Sequence, residues 1–440
     1  MKQLIALFTC FVLGLSAAFG QQPVLSTQEA VALTLENNLG IQVSTNQREV
    51  DANNAGILNS GYLPSLTANG GGSIDRQNTE GQLANGDTRT ANGAETRRYN
   101  ASLSVNYLLF DGLGRWYDYK SFQERSQQSE LEVRQTIEVT LLQLFSVYYE
   151  VARIEENVAN LRQALAISRD RLQRARYQFE FGQNTKLDVL NAEVDINTDS
   201  VNLLNAEQNL RNTKRDLNLI LNRDLTLAFR PDTTVRFLPE LKMEDIMAQA
   251  RTNNVRMLLA DKDILISEYN WKATRSSFLP TIGLTGTYGW NELSNNSPLA
   301  FVLQNTSTGM TGSVNLSWNL FDGGRSITSV KNARIGYENR QLLKQQTELE
   351  VDRDLQNAWG NYQNTLFVLE VQDKNLQTNR NNFERSQERY QLGQITSIEF
   401  RQAQVNLLGA QLLRSQAKYN AKLAELEVLQ VSGQLLDVDF

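Results

Sequence analysis

Residues 112–182 read GLGRWYDYKSFQERSQQSELEVRQTIEVTLLQLFSVYYEVARIEENVANLRQALAISRDRLQRARYQFEFG. No glycine interrupts them between Gly114 and Gly182, and no proline occurs between Pro64 and Pro231. Ile137, Leu144, Val151, Val158, Leu165, Leu172 and Phe179 recur at seven-residue intervals. Val147, Ile154, Leu161 and Ala175 form a companion line three residues on, with Ser168 the exception. A seam sustained this far predicts one long helix packed lengthwise on other helices. About 70 residues at 1.5 Å each make a rod of roughly 105 Å. That is too long for a globular domain, so the rod needs neighbours.

The chain supplies one itself. Adding 211 to each position carries Leu144 through Phe179 onto Leu355, Tyr362, Leu369, Leu376, Phe383 and Tyr390. The same shift carries Phe110-Asp111-Gly112 onto Phe321-Asp322-Gly323, Gly182-Gln183 onto Gly393-Gln394, and Thr185 onto Thr396. A shift of 216 carries Asn37-Asn38 onto Asn253-Asn254 and Tyr62-Leu63-Pro64 onto Phe278-Leu279-Pro280. The chain reads as an internal duplication. The change of shift places a variable loop between the Leu-Pro and Phe-Asp-Gly landmarks.

The 440 residues are 41% hydrophobic and 21% charged, with a mean hydropathy of −0.41, which suits packed polar rods better than a thick core. A net charge of −6 argues against a nucleic-acid partner, which requires a basic surface. Lys2, the apolar run from Leu4 to Ala18 and the small-x-small triplet Ala18-Phe19-Gly20 read as a secretory signal over residues 1–20. The only cysteine, Cys10, lies inside it, so a mature chain starting at Gln21 has neither a disulfide nor a lipidated cysteine.

Helices are expected over 26–62, broken at Asn37-Asn38 and ended by Pro64. Strands are expected over 64–76 and 98–110. Tyr99, Ala101, Leu103, Val105, Tyr107 and Leu109 alternate there with Asn100, Ser102, Ser104 and Asn106. Helices 112–182 and 186–222 complete the first repeat, and 223–240 forms a linker at mid-length. The second repeat has helices over 241–278, strands over 280–290 and 311–321, and helices over 324–393 and 396–432. A tail follows over 433–440. The polar stretch 75–97 reads as an exposed loop. Its counterpart 291–311, with Leu299, Phe301, Val302 and Leu303, reads as one that folds inward. Two amphipathic hairpins on a soluble core would show the same alternation. Export, and the lack of a globular core to cover the strands, favour a transmembrane barrel with Tyr107 and Trp318 as interface aromatics. Four strands cannot close a barrel, and an open edge is forbidden in lipid. Several copies must each contribute four, and the count leaves two copies or three open. At the strand–helix junctions, Gly112 and Gly323 suit sharp turns, and Asp111 and Asp322, after Phe110 and Phe321, can cap the next helix.

Together the two Leu-Pro strand entries, the two Phe-Asp-Gly turns and the two tips resemble the TolC-like outer membrane factors. The tips are Arg176-Tyr177-Gln178-Phe179-Glu180-Phe181-Gly182-Gln183-Asn184-Thr185-Lys186-Leu187-Asp188 and Arg389-Tyr390-Gln391-Leu392-Gly393-Gln394-Ile395-Thr396-Ser397-Ile398-Glu399-Phe400. The resemblance covers the whole mature chain. It implies an α+β membrane protein in the outer membrane: a homotrimer with a twelve-stranded transmembrane β-barrel and a long α-helical coiled-coil tunnel across the periplasm. It also implies docking to a periplasmic adaptor protein and an inner-membrane pump of RND or ABC type. Matching around the tip glycines, it assigns Asp188 and Tyr390 to polar contacts that close the tunnel, and Glu399 to an acidic ring at its entrance. Two departures stand out. Ile395 occupies the place of an arginine and Gln402 that of a second aspartate, so the closing network is expected to be less ionic.

No enzyme chemistry is visible. The chain has no histidine, which excludes His-based metal sites and Ser-His or Cys-His nucleophiles. Gly70-Gly71-Gly72 falls in a strand rather than before a helix, unlike a phosphate-binding loop. No cofactor is expected. The reading is a passive exit duct for efflux or type I secretion. Its rival is a structural coiled-coil stalk or adhesin, which would not require paired strands between helices of complementary length.

Overall fold

The computed structural model describes residues 23–239 and 241–438; the expected signal segment and Cys10 lie outside them. The chain forms two compact units. One comprises the residues up to 46, 131–258 and those from 346 on; the other comprises 47–130 and 259–345.

The elements of the first half are β1 (Val24–Leu25), α1 (Thr27–Asn37), α2 (Leu39–Asn54), β2 (Ser65–Gln82), β3 (Thr88–Phe110), α3 (Gly114–Glu180) and α4 (Lys186–Ile220). After β4 (Arg230–Pro231) come α5 (Met243–Asn253), α6 (Val255–Thr274), β5 (Thr281–Asn295), β6 (Gln304–Ser317), α7 (Arg325–Gln391) and α8 (Ser397–Ser432). Both long helices, α3 and α7, have 67 residues, and their companions α4 and α8 have 35 and 36.

The helical unit is built on the seven-residue seam. Leu144, Val151, Val158, Leu217, Tyr419 and Leu426 are buried in one cluster, while Leu355 and Tyr362 pack with Ile246, Ala250 and Val428 in a second. Each fully buried leucine contributes about 1.5–3 kcal/mol. The linker is pinned to this core. Arg230 and Pro231 pair in parallel with Val24 and Leu25, and the buried Tyr148 hydroxyl donates to the Leu25 carbonyl at 2.7 Å. Burial pushes the Tyr148 hydroxyl up to about 12. Leu238 N–H donates to Glu425 at 2.7 Å, and Lys422 pairs with the same carboxylate.

Asn38 and Asn254 make the helix breaks. Each side-chain oxygen accepts from backbone N–H groups at the start of the next helix, and each amide donates to a carbonyl near the end of α4 or α8: Ile220 at 2.9 Å and Val431 at 2.8 Å.

The other unit carries a four-stranded antiparallel sheet in the order β2-β3-β5-β6. Its register sorts the side chains. Val105 lies opposite Leu66 and Gly286, Tyr107 opposite Leu284, and Leu284 opposite Val314. These residues share one face. Ser104, Asn106, Thr285 and Thr287 share the other, where Ser104 and Thr287 hydroxyls lie 3.0 Å apart and Thr285 donates to Asn106 at 3.1 Å. Helical segments of this unit meet through polar and aromatic contacts: Lys262 with Glu124 at 2.7 Å, Lys344 with Asp261 at 2.7 Å, and Trp271 stacked on Tyr337.

Several expectations need correction. The stretch 75–97 is not a loop: β2 and β3 pair out to Gln82 and Thr88, and the turn is confined to 83–87. Its polar composition masked a hairpin whose signal is Asn85-Gly86, with Gly86 at φ +94°. The second loop is also shorter than expected. Strand β5 continues to Asn295, β6 begins at Gln304, and Phe301 is fully exposed. Strand β6 stops at Ser317, so Trp318 and Phe321 lie beyond it. Ser317 pairs with Thr281, and Pro280 before Thr281 has no N–H to extend the ladder. Trp318 is half-exposed and donates its ring N–H to the Phe278 carbonyl at 3.2 Å. Helix α2 ends at Asn54 rather than Tyr62. A short 3-10 turn at Ile57–Asn59 and Gly61 at φ +70° carry the chain to Pro64.

Candidate functional site

Both helical tips rest on the same two local devices. At the first, Gly182 has φ +69°, its N–H donates to the Phe179 carbonyl at 3.0 Å, and Gln183 N–H donates to Gln178 at 2.7 Å. At the second, Gly393 has φ +72°, with the equivalent bonds to Tyr390 at 3.1 Å and Arg389 at 2.8 Å. This double bond closes a helix on a left-handed residue, a conformation that suits glycine. The return helices then start on reciprocal caps. Thr185 N–H donates to Asp188 at 3.1 Å while Asp188 N–H returns to the Thr185 hydroxyl. Thr396 N–H donates to Glu399 at 2.7 Å and Glu399 N–H returns to the Thr396 hydroxyl at 3.2 Å. The Thr396 bonds hold the Glu399 carboxyl below the ordinary glutamate range. Asp188 and Glu399 are therefore engaged with their own helix starts.

Tyr390 lies among the aromatic side chains of its own tip. Tyr390 stacks on Phe400 at 4.8 Å, and no hydrogen bond from its hydroxyl is present among the described residues. Phe400 in turn stacks on Phe383 at 5.5 Å, and Ile395 packs against this cluster. An apolar residue at 395 thus serves the aromatic packing of the second tip. Gln402 donates to Asn406 at 2.8 Å along its own helix.

The polar junction between the hairpins lies further along the helices, and it is ionic. Arg401 of α8 donates to both oxygens of Asp199 of α4 at 2.8 Å and reaches Asp195 at 3.4 Å. Arg171 of α3 donates to Asp195 at 3.0 Å and to the Ser397 hydroxyl of α8 at 2.9 Å. Ser168 sits between them, donating to Asp199 at 2.6 Å and accepting from Arg401 at 3.2 Å and Gln404 at 3.1 Å. Ser168, Arg171, Asp199 and Gln404 are all buried. Burial works against the Arg401 charge, but Asp199 outweighs it and raises its pKa. Such a two-oxygen guanidinium–carboxylate pair is directional as well as strong. A recess of about 250 Å³ adjoins the junction, lined among others by Arg171, Asp195 and Arg401.

Sequence reasoning missed this junction, although Ser168, the single interruption of the companion seam, marks its centre. The ionic contacts lie at Arg171, Asp195, Asp199 and Arg401, while Ile395 and Gln402 take no part in them.

The strand–helix turns are a separate feature. Asp111 accepts from Arg115 N–H at 2.8 Å and Asp322 from Ser326 N–H at 2.9 Å. Gly112, at φ +71°, leaves no room for a Cβ against Leu279 and the Ser276 carbonyl. Among the described residues no group of three or more acidic or cysteine side chains is placed to hold a metal.

A family model described as outer membrane efflux protein matches residues 30–223 and 246–434. The outer membrane efflux protein BepC of Brucella suis is 23% identical over 434 residues, covering 94% of this chain and 88% of the relative. The outer membrane protein TolC of Vibrio cholerae is 22% identical over 446 residues, covering 100% and 97%. The Campylobacter jejuni CmeC outer membrane channel superposes with a TM-score of 0.76 at 17% identity, covering 96% of this chain and 90% of that one. The chain belongs to the outer membrane efflux protein family and is a channel protein of the outer membrane, TolC-like in fold, that extends into the periplasm.

Proposed function

We propose that this protein is a passive trimeric exit duct in a tripartite efflux or type I secretion system. The observation that carries this reading is the sheet. One face is apolar, the other is lined by Ser, Thr and Asn, and the outer edges of β2 and β6 are unpaired among the described residues. Unpaired edges are not tolerated in lipid, so the sheet must be completed by other copies. Three copies give twelve strands, apolar outward and polar toward a water-filled lumen. The matched lengths of α3 and α7 support the internal duplication that makes each copy a near-symmetric pair of staves.

The energy comes from partners, a periplasmic adaptor and an inner-membrane pump. The duct's own task is to open and close. The junction of Arg171, Asp195, Asp199 and Arg401 holds the second hairpin against the first. The caps at Thr185–Asp188 and Thr396–Glu399 and the turns at Gly182 and Gly393 shape the tips that must separate, and Tyr390 packs within the second tip. Planar-bilayer recording of purified protein tests this. We expect small, rarely open channels from the wild type and a larger open fraction from Arg401→Ala. Protein that forms no pore overturns the duct reading, and unchanged gating in Arg401→Ala overturns the role of the junction.

A further inference from the structure

Away from the tips, α3, α4 and the segment 225–230 enclose a recess of about 780 Å³ to which no residue of the four-stranded sheet contributes. Five cationic side chains line it against two carboxylates, in a chain whose net charge is −6. Both carboxylates are already paired, Glu155 with Lys214 at 2.9 Å and Glu207 with Arg162 at 2.7 Å. Among the described residues, Arg211 and Arg215 reach only the side-chain oxygens of Gln208 and Asn212, at 2.6 and 3.0 Å. Arg230 has no carboxylate partner among the described residues. Three uncompensated guanidinium groups therefore face one recess.

Their placement narrows the ligand. Arg211 and Arg215 stand one helical turn apart on α4, and Arg230 belongs to a different segment, so the charge is distributed along the recess. A lone phosphate is commonly held at a helix N-terminus, and none of the residues lining the recess starts a helix. Half-exposed Leu225 and Leu227, with Val24, stand among the cations. An acyl chain would need an apolar floor. The floor here is the buried Phe229 ring, already covered by Lys214 at 5.5 Å and Arg223 at 4.7 Å. Separated guanidinium groups with apolar side chains between them match an extended chain that alternates carboxylates and apolar groups, the arrangement by which arginine clusters read acidic motifs.

We propose that this recess binds an acidic peptide segment whose apolar residues alternate with Asp or Glu. The proposal is independent of the duct reading, since it needs neither a pore nor a gate.

The test uses the full-length protein in detergent and a short fluorescent peptide of alternating Glu and Leu, followed by anisotropy. Binding is expected, weakening as salt is raised. The same peptide with Gln for Glu is expected to bind at least about tenfold more weakly, a difference of about 1.4 kcal/mol. The triple variant Arg211→Gln, Arg215→Gln, Arg230→Gln should lose affinity to a similar degree. All three side chains are solvent-exposed, so the fold should survive, and an unchanged thermal midpoint checks this. Triple Arg→Lys substitution is expected to restore part of the affinity. Three results overturn the proposal: no binding of the Glu peptide, equal binding by the triple Gln variant, or displacement of the peptide by inorganic phosphate or anionic-lipid vesicles as effectively as by unlabelled peptide. The last would assign the recess to a single anion or a lipid headgroup.

Discussion

The tips at Gly182 and Gly393 stand 211 residues apart, and so do the helix ends at Asn222 and Gly433. The tips are built alike, but the helix ends are not. Asn222 closes α4 at φ +48° and donates its amide to the Asn37 carbonyl at 3.1 Å. Gly433 closes α8 at φ +75° and has no side chain to donate. The equivalent carbonyl, that of Asn253, is met by Arg134 of α3 at 3.0 Å, and the same guanidinium nitrogen donates to the Gly433 carbonyl at 2.9 Å. Arg134 also meets the fully buried Glu138 at 2.8 Å. The carbonyl that the closing residue of the helix meets in one half is met in the other by an arginine bolt from a third helix. Local chemistry can be duplicated with the sequence, whereas packing against a neighbour has to be solved separately on each side.

The sharpest way to break this asymmetry is to remove the bolt. Arg134→Ala leaves Glu138 buried without its cation and two carbonyls without a donor, at a cost of about 3–5 kcal/mol. Asn222→Ala removes a single exposed hydrogen bond and places an alanine at a left-handed residue, and should cost about 1–2 kcal/mol. Thermal midpoints in detergent compare the two. Adding Glu138→Gln to Arg134→Ala should recover part of the loss, because the uncompensated charge is then gone. Equal effects from Arg134→Ala and Asn222→Ala would mean the two ends are held in the same way after all.

The glycine itself comes next. A Cβ at Gly433 would overlap the Asn253 carbonyl, and the backbone there is left-handed. Gly433→Ala should cost about 2–4 kcal/mol from combined strain and overlap. Asn222→Gly meets no such conflict and should change stability by under about 1 kcal/mol. If Gly433→Ala proves as mild as Asn222→Gly, the close approach is not tight in the folded protein.

The tips give the matching control, where sameness is the expectation. Thr185→Ala and Thr396→Ala each remove the hydroxyl from a reciprocal cap and should each cost about 1 kcal/mol. Hydrogen exchange of the first turn of α4 and of α8 reads the two separately. A clear difference between them would show that the tips, despite their shared local devices, are held by different surroundings.

How much of this was readable beforehand follows the same division. The rods, their breaks at Asn38 and Asn254, and the strand alternation around Leu103 and Val314 follow from periodicity and local turn chemistry. The reciprocal caps were equally readable, since Thr185-x-x-Asp188 and Thr396-x-x-Glu399 carry the spacing of a capping box. The junction of Arg171, Asp195, Asp199 and Arg401 joins residues more than 200 positions apart in the chain, and no periodicity links them. Only Ser168, polar where the companion seam is apolar, hinted that something other than leucine packing occurs there. The distal part of the first hairpin, 77–97, was hidden for another reason: it is polar on both faces, so alternation, which reports one-sided burial, had nothing to register.

The smallest expected effect also separates a tip from a helix end. Glu399, at the tip, has its pKa lowered below its ordinary value of 4.5 by bonds from Thr396; Glu138, at the bolt, has its pKa raised above 4.5 because burial outweighs its bond from Arg134. The two glutamates therefore give stability opposite pH slopes. The folded state releases the Glu399 proton more readily than the unfolded one. That contribution is present above about pH 4.5 and is lost as pH falls through the lowered folded value. The folded state holds the Glu138 proton more tightly. Stability therefore falls as pH rises from about 4.5 through the raised folded value, and the ionised, buried carboxylate remains a cost above it. Thermal midpoints measured across this range should show Glu399→Gln flattening the acid limb and Glu138→Gln flattening the limb above pH 4.5. Slopes of the same sign in the two variants would mean that one of these carboxylates does not sit in the environment described, and the direction of the shared slope would say which.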